Sequence, residues 1–125
     1  MKEEIIKHNP SSEFYSDNER CHITELYNLH KDENLSIAKA RVEKGVSTAF
    51  HSLKDVDEKY VILLGQGIVE VGELPPTEVT FGDVVCIPAG TKQRITNTGN
   101  SDLIFLCICT PRFKKELYVD LENHA

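Results

Sequence analysis

The chain has 125 residues, 40% of them hydrophobic, which is enough for one domain around a single core. Its formal net charge is -6 and its Lys and Arg residues form no cluster, arguing against a nucleic-acid or anionic-membrane surface, since both need basic footprints. No stretch approaches the roughly 20 apolar residues of a membrane span, and Met1 to Lys7 has no apolar run of the signal-peptide kind, so a cytoplasmic protein is expected.

Residues 1–18 mix charges with Ser, Asn and Pro10, a composition that predicts an arm with little regular structure, either mobile or docking only against a partner. From Cys21 to Tyr27 the chain alternates loosely and reads as a strand, and Leu35 to Val42 reads as another across the turn chemistry of Asp32, Glu33 and Asn34. Gly45 breaks the chain before a strand from Thr48 to Leu53. Lys54 to Asp57 is a polar bend, and the apolar run Tyr60 to Leu64 ends at Gly65-Gln66-Gly67, a hairpin-type turn. Further short strands are predicted at Ile68 to Val71, Val79 to Phe81, Val84 to Ile87, Gln93 to Asn97 and Leu103 to Thr110, each stopped by Gly, Pro or Asn. Such a rhythm without a long amphipathic helix predicts an all-β sandwich or barrel. After Pro111, the segment from Phe113 to Leu121 predicts a short turn of helix with Leu117 and Leu121 on one face. The predicted organisation is therefore an arm (1–18), a barrel (19–112) and a tail (113–125).

Four cysteines, Cys21, Cys86, Cys107 and Cys109, are expected to be reduced thiols of the intracellular kind. Cys107 and Cys109 alternate on one strand, so their sulfurs share a face. They read as small core hydrophobes, and either could also reach a pocket wall from the closing strand; Cys86 sits just before Ile87-Pro88.

The stretch from Gly45 to Asn97 carries a pattern in two halves: Gly45-x5-His51-x-Leu53-x4-Glu58-x6-Gly65, then Gly82-x5-Pro88-x-Gly90-x2-Gln93-x3-Asn97. It resembles the two motifs of the cupin family, G-x5-H-x-H-x3-4-E-x6-G and G-x5-P-x-G-x2-H-x3-N. The resemblance implies a double-stranded β-helix, or jelly-roll barrel. In that family two His, one Glu and a final His hold one metal ion inside the barrel. Here His51 and Glu58 keep their places, while Leu53 and Gln93 stand where the other two His would be. The resemblance thus implies a weakly held divalent ion, Mn, Fe, Ni or Zn, between His51, Glu58 and Gln93. It also implies an N-terminal segment that adds a strand to a neighbouring subunit, hence a homodimer.

Alternation adds detail to that site. His51 and Leu53 lie two apart and point the same way, as do Glu58 and Tyr60, so Tyr60 brings a phenol to the face of Glu58. Asn97 reads as a turn-fixing residue through side-chain to backbone hydrogen bonds, and His22 as a residue of the pocket mouth. Three functions fit: a metal-dependent enzyme of the oxygenase or isomerase kind, a metal-free catalyst with His51 as base and Tyr60 as acid, and a small-molecule-binding module whose apolar wall includes Leu53.

Overall fold

Alternation of apolar and polar side chains gives each strand one face for the core and one for water, and two sheets meeting on their apolar faces follow from it. The computed structural model describes residues 1–122, so the last three positions of the predicted tail lie outside the described residues. One sheet consists of β1 (Phe14–Ser16), β2 (Cys21–Tyr27), β3 (Ser36–Val42), β10 (Leu103–Thr110), β5 (Asp57–Leu64) and β8 (Val84–Ile87), side by side in that order. The other consists of β11 (Tyr118–Asp120), β4 (His51–Leu53), β9 (Gln93–Asn97), β6 (Gln66–Val71) and β7 (Thr77–Thr80). All pairings are antiparallel. No helix among the described residues is long and apolar enough to cross a membrane.

The core lies between the sheets. Val42, Ile62, Ile95 and Leu103 are completely buried and Phe105 nearly so, within one cluster that both sheets feed. Registered rungs explain why one end of the barrel is filled and the other is open. Ile23, Ala40, Phe105 and Ile62 are partners across β2, β3, β10 and β5, and their bulk fills the space between the sheets. Two residues along, the rung is Glu25, Ala38, Cys107 and Tyr60, and beyond it Ser36, Cys109 and Glu58. Small side chains at Ala38, Ser36 and the two cysteines leave a hollow there that larger ones would occupy.

Three segments differ from the sequence expectation. Gly65 does not head a hairpin: β5 and β6 belong to different sheets, so the chain turns a corner there. The corner needs glycine, because φ is +83° and a Cβ would lie 2.6 Å from the Asp102 carbonyl oxygen. Residues Phe14–Ser16 are regular, pairing with Cys21–Ile23 of the same chain, so the end of the arm is part of the six-stranded sheet. In the tail the short helical turn is a 3₁₀ turn at Lys115–Leu117, and Tyr118–Asp120 then pairs with β4 as a strand, so Leu121 does not share a helix face with Leu117. Leu117 packs beside Leu53, Val56, Cys109 and Phe113 in a second apolar cluster, whereas Leu121 is exposed.

The cysteines are all free thiols. Cys86 is exposed on β8, facing away from the barrel interior, so it does not reach the hollow. Cys21 and Cys109 are buried, and burial pushes the Cys21 thiol up to about 12 and the Cys109 and Cys107 thiols upward as well. An aromatic disulfide reagent at pH 8 should therefore label one thiol rapidly and three slowly, with Cys86→Ser removing the fast phase. Two or more fast thiols in the native protein would contradict this burial pattern.

Candidate functional site

The open end of the barrel is a cavity of about 340 Å³. Its floor carries His51, Leu53, Glu58, Cys107 and Cys109, and its walls include residues of β1, β2 and β3 together with Phe113, Lys115 and Tyr118. His51 sits at the start of β4, directly opposite Gln93 of β9, and Leu53 follows on the same face. Glu58, on β5, is reached from the other sheet.

His51 is 6% exposed. Its Nδ1 lies 2.9 Å from the carbonyl oxygen of Ala49, and an acceptor there requires Nδ1 to carry the proton. Nε2 is thereby left with a lone pair. The imidazole ring stacks on Tyr118 with centroids 4.9 Å apart and planes 15° from parallel, which fixes its tilt. Burial holds the ring below its ordinary value, against the opposing effect of the Ala49 carbonyl, so the resting form is neutral.

Glu58 is also 6% exposed, and burial pushes its carboxyl up to about 7. The Gln93 side chain and the thiols of Cys109 and Cys107 favour the charged form, while the carboxylate of Glu19 raises the value further. Oε2 accepts from the Cys109 thiol at 3.7 Å. Oε1 has no partner that meets hydrogen-bond geometry, although it is out of contact with solvent. The Tyr118 hydroxyl is likewise buried without a partner. Two polar atoms of cavity-lining residues are thus unsatisfied, an arrangement that costs stability unless something binds them.

The other two expected site residues are engaged with each other. Tyr60 donates its hydroxyl to Gln93 Oε1 in a short hydrogen bond, and its ring tilts against Phe105 at 4.5 Å. Both are almost fully buried, 3% and 1% exposed, beneath the cavity and not among the residues that line it. The structure therefore brings His51 and Glu58 to the hollow and places Tyr60 and Gln93 as its support. His22 is not part of the lining; its ring meets Tyr15 edge-on and its Nε2 lies 3.6 Å from Glu43. Asn97 fixes a turn, as its type and place imply, through Gly99, Ser101 and Val42.

A divalent ion of the kind the motifs imply would find His51 Nε2 and Glu58 as its strong donors. Gln93, the third expected donor, has its amide oxygen committed to Tyr60, and Leu53 contributes nothing. Among the described residues no group of three or more His, Cys, Asp or Glu side chains could hold a metal ion. The donor set does not fit a tightly held ion.

Sequence reasoning missed Tyr118, Glu19, Glu25 and the Phe14 and Phe113 rings, all of which line the cavity. The alternation of Tyr118, Val119 and Asp120 was the available signal for a strand. Glu19 matters electrostatically: after burial, its charge is a cause of the upward shifts at Glu58, Cys107, Cys109 and Tyr118, and it opposes the downward shift at His51.

With two sheets, the open-ended barrel and the motif residues on and beneath the floor of its cavity, the chain is a small cupin: residues 38–109 match the Cupin domain family, and the chain belongs to it. An uncharacterised protein of Methanocaldococcus jannaschii is 35% identical over 89 residues, spanning 71% of this chain and 70% of that one. The oxalate-binding protein of Thermotoga maritima is 33% identical over 91 residues, 72% and 73% of the two chains. In fold the chain is similar to an uncharacterised conserved protein with a double-stranded β-helix domain from Klebsiella pneumoniae. That likeness has a TM-score of 0.76 at 16% identity and covers 97% of this chain and 100% of the other.

Proposed function

We propose that the chain is a small-molecule-binding cupin that engages its ligand through His51, Glu58 and Tyr118 and needs no tightly held metal ion to do so. The observation that carries this reading is the pairing of Gln93 with Tyr60 beneath a cavity that leaves Glu58 Oε1 and the Tyr118 hydroxyl without partners. A ligand that brings O–H or N–H donors for Glu58 Oε1 and the lone pair of His51 Nε2, together with an acceptor for the Tyr118 hydroxyl, would meet all three. The size and mixed lining of the hollow suit a small organic molecule, and the name of the Thermotoga maritima relative points to small-molecule binding in this branch of the family.

One feature favours a catalytic extension of the same reading. A carboxyl near 7 and a neutral imidazole, both lining one cavity, are matched for proton transfer at neutral pH. Glu58 would then take the part that the sequence assigned to Tyr60, whose proton is directed at Gln93.

The test is a ligand-observed NMR screen of small polar organic molecules, run with and without a chelator. Hits are expected to survive chelation, to weaken by about tenfold in His51→Ala through loss of one buried hydrogen bond, and to disappear in Leu53→Trp, which fills the hollow. Binding that appears only after adding Mn, Fe, Ni or Zn would replace this reading with the metal-dependent one. So would near-stoichiometric metal that survives dialysis and is lost in His51→Ala.

A further inference from the structure

We infer that the cavity selects a compact organic cation, an amine or quaternary ammonium group held by Glu19 and Glu25 against the rings of Phe14, Phe113 and Tyr118. The inference rests on the cavity being a ligand site and adds the charge class of the ligand.

Carboxyl groups lining the hollow outnumber cations: Glu19, Glu25 and the buried Glu58 against Lys115, with Glu25 and Lys115 both exposed. Neighbouring cations are committed elsewhere. Arg20, next to Glu19 in the chain, pairs with Glu122 at 2.5 Å and donates to the carbonyls of Ser47 and Thr48. Arg41 is held between Glu13 and Asp102 at 2.8 and 3.2 Å. Neither Glu19 nor Glu25 has an ion-pair partner among the described residues. Surface carboxylates alone would be unremarkable, but Glu58 is buried to more than nine-tenths, lines the same hollow and keeps Oε1 unsatisfied. A buried carboxyl with one oxygen unpartnered, in a hollow also lined by two carboxylates without ion-pair partners, suits a ligand that brings positive charge or N–H groups.

The aromatic rings supply the rest of the recognition. Phe14 comes from β1, Phe113 from the segment after β10 and Tyr118 from β11, so three separate parts of the chain deliver rings to one hollow. Rings around a cation stabilise it through their negative faces, and the methyl groups of a quaternary ammonium also bury apolar area against them. An anion meets the reverse situation. A dianion of the oxalate type would face three carboxyl groups with one exposed ammonium to offset them, so this cavity and the Thermotoga maritima protein should differ in the charge of what they take.

The closing experiment is isothermal titration calorimetry of the full chain with three probes: choline, its neutral tert-butyl isostere with carbon in place of nitrogen, and oxalate. Choline is expected to bind roughly tenfold more tightly than the isostere, with no heat from oxalate. Raising the salt concentration should narrow the gap, because the two outer carboxylates are screened. Glu19→Gln should reduce the preference and Glu19→Gln with Glu25→Gln should abolish it, while the thermal midpoint and far-ultraviolet circular dichroism of each variant report that it is folded. Equal affinity for choline and isostere, a preference for oxalate, or no choline binding would overturn the cation proposal. If the NMR screen still gives chelator-insensitive hits lost in Leu53→Trp, the cavity reading survives that failure; without such hits both fall together.

Discussion

Glu58→Gln is expected to stabilise the protein by about 3 kcal/mol at pH 8 and to change it little at pH 4. The carboxyl has a folded value of about 7 against 4.5 when free, because burial disfavours its charge. Below pH 4.5 it is protonated in both the folded and the unfolded chain and carries no penalty. As pH rises from 4.5 to 7 the unfolded chain releases the proton while the folded chain keeps it, so folding stability falls; above 7 the full cost is present, about 3 kcal/mol for a displacement of this size. Glutamine has nearly the same shape and cannot ionise, so this cost vanishes. Thermal midpoints at pH 8 should rise by roughly 10 °C, with parent and variant converging toward pH 4. His51 acts with the opposite sign: burial lowers its value below 6.5, so its contribution is lost as pH falls through that value and below. The variant should therefore show a decline on acidification, from His51 and from the carboxyls of Glu13, Asp32, Glu33 and Glu122, which their hydrogen-bond partners hold below the usual value. A variant with the parent's pH profile and no gain at pH 8 would mean that the Glu58 charge is compensated in the folded state, and the unsatisfied carboxyl would no longer support the proposed site.

The barrel was legible because its punctuation is chemical. Gly45, Gly65, Gly82 and Gly90 all have positive φ, where other residues are strained, and the inward alternation of Glu58, Tyr60 and Ile62 on β5 follows from period two alone. His51 and Leu53 could be placed on one face for the same reason. What period two cannot give is what an inward side chain meets. Tyr60 and Gln93 were both expected inside, but their bond to each other depends on how the two sheets face one another, which no local pattern encodes. The tail misled through Leu117 and Leu121: their spacing fits a helix, yet the edge of β4 offers Tyr118–Asp120 backbone partners and Leu117 a buried apolar cluster. Glu19 and Glu25 were invisible as site residues because each is an ordinary polar residue in sequence. Only the pairing of β1 and β2 with the rest of their sheet brings them to the mouth.

Asn97→Ala is expected to destabilise by about 3 kcal/mol or more, and Asn97→Asp by at least as much at pH 8, although Asp is the closer match in shape. Asn97 is 2% exposed and uses both ends of its amide. Oδ1 accepts from the Gly99 amide at 2.9 Å, while Nδ2 donates to the Ser101 carbonyl at 2.8 Å and to the Val42 carbonyl at 2.9 Å. One side chain thus ties the turn after β9 to the end of β3, next to completely buried Val42 and Leu103. Alanine removes three hydrogen bonds and withdraws the amide donor from a buried carbonyl, and losses of this kind cost about 1 to 3 kcal/mol per unsatisfied group. Aspartate keeps the acceptor for Gly99 but turns the donor into a charged oxygen facing two carbonyl oxygens, so repulsion replaces attraction. Its carboxyl should therefore titrate above the usual range in the folded chain, and stability should recover in part as pH falls and the protonated acid donates to one carbonyl. Urea midpoints for both variants at pH 8 and pH 5 distinguish these effects: the alanine variant should keep the parent's pH trend and the aspartate variant should gain on acidification. An aspartate variant as stable as the parent at pH 8 would show that Nδ2 is not the donor holding this turn.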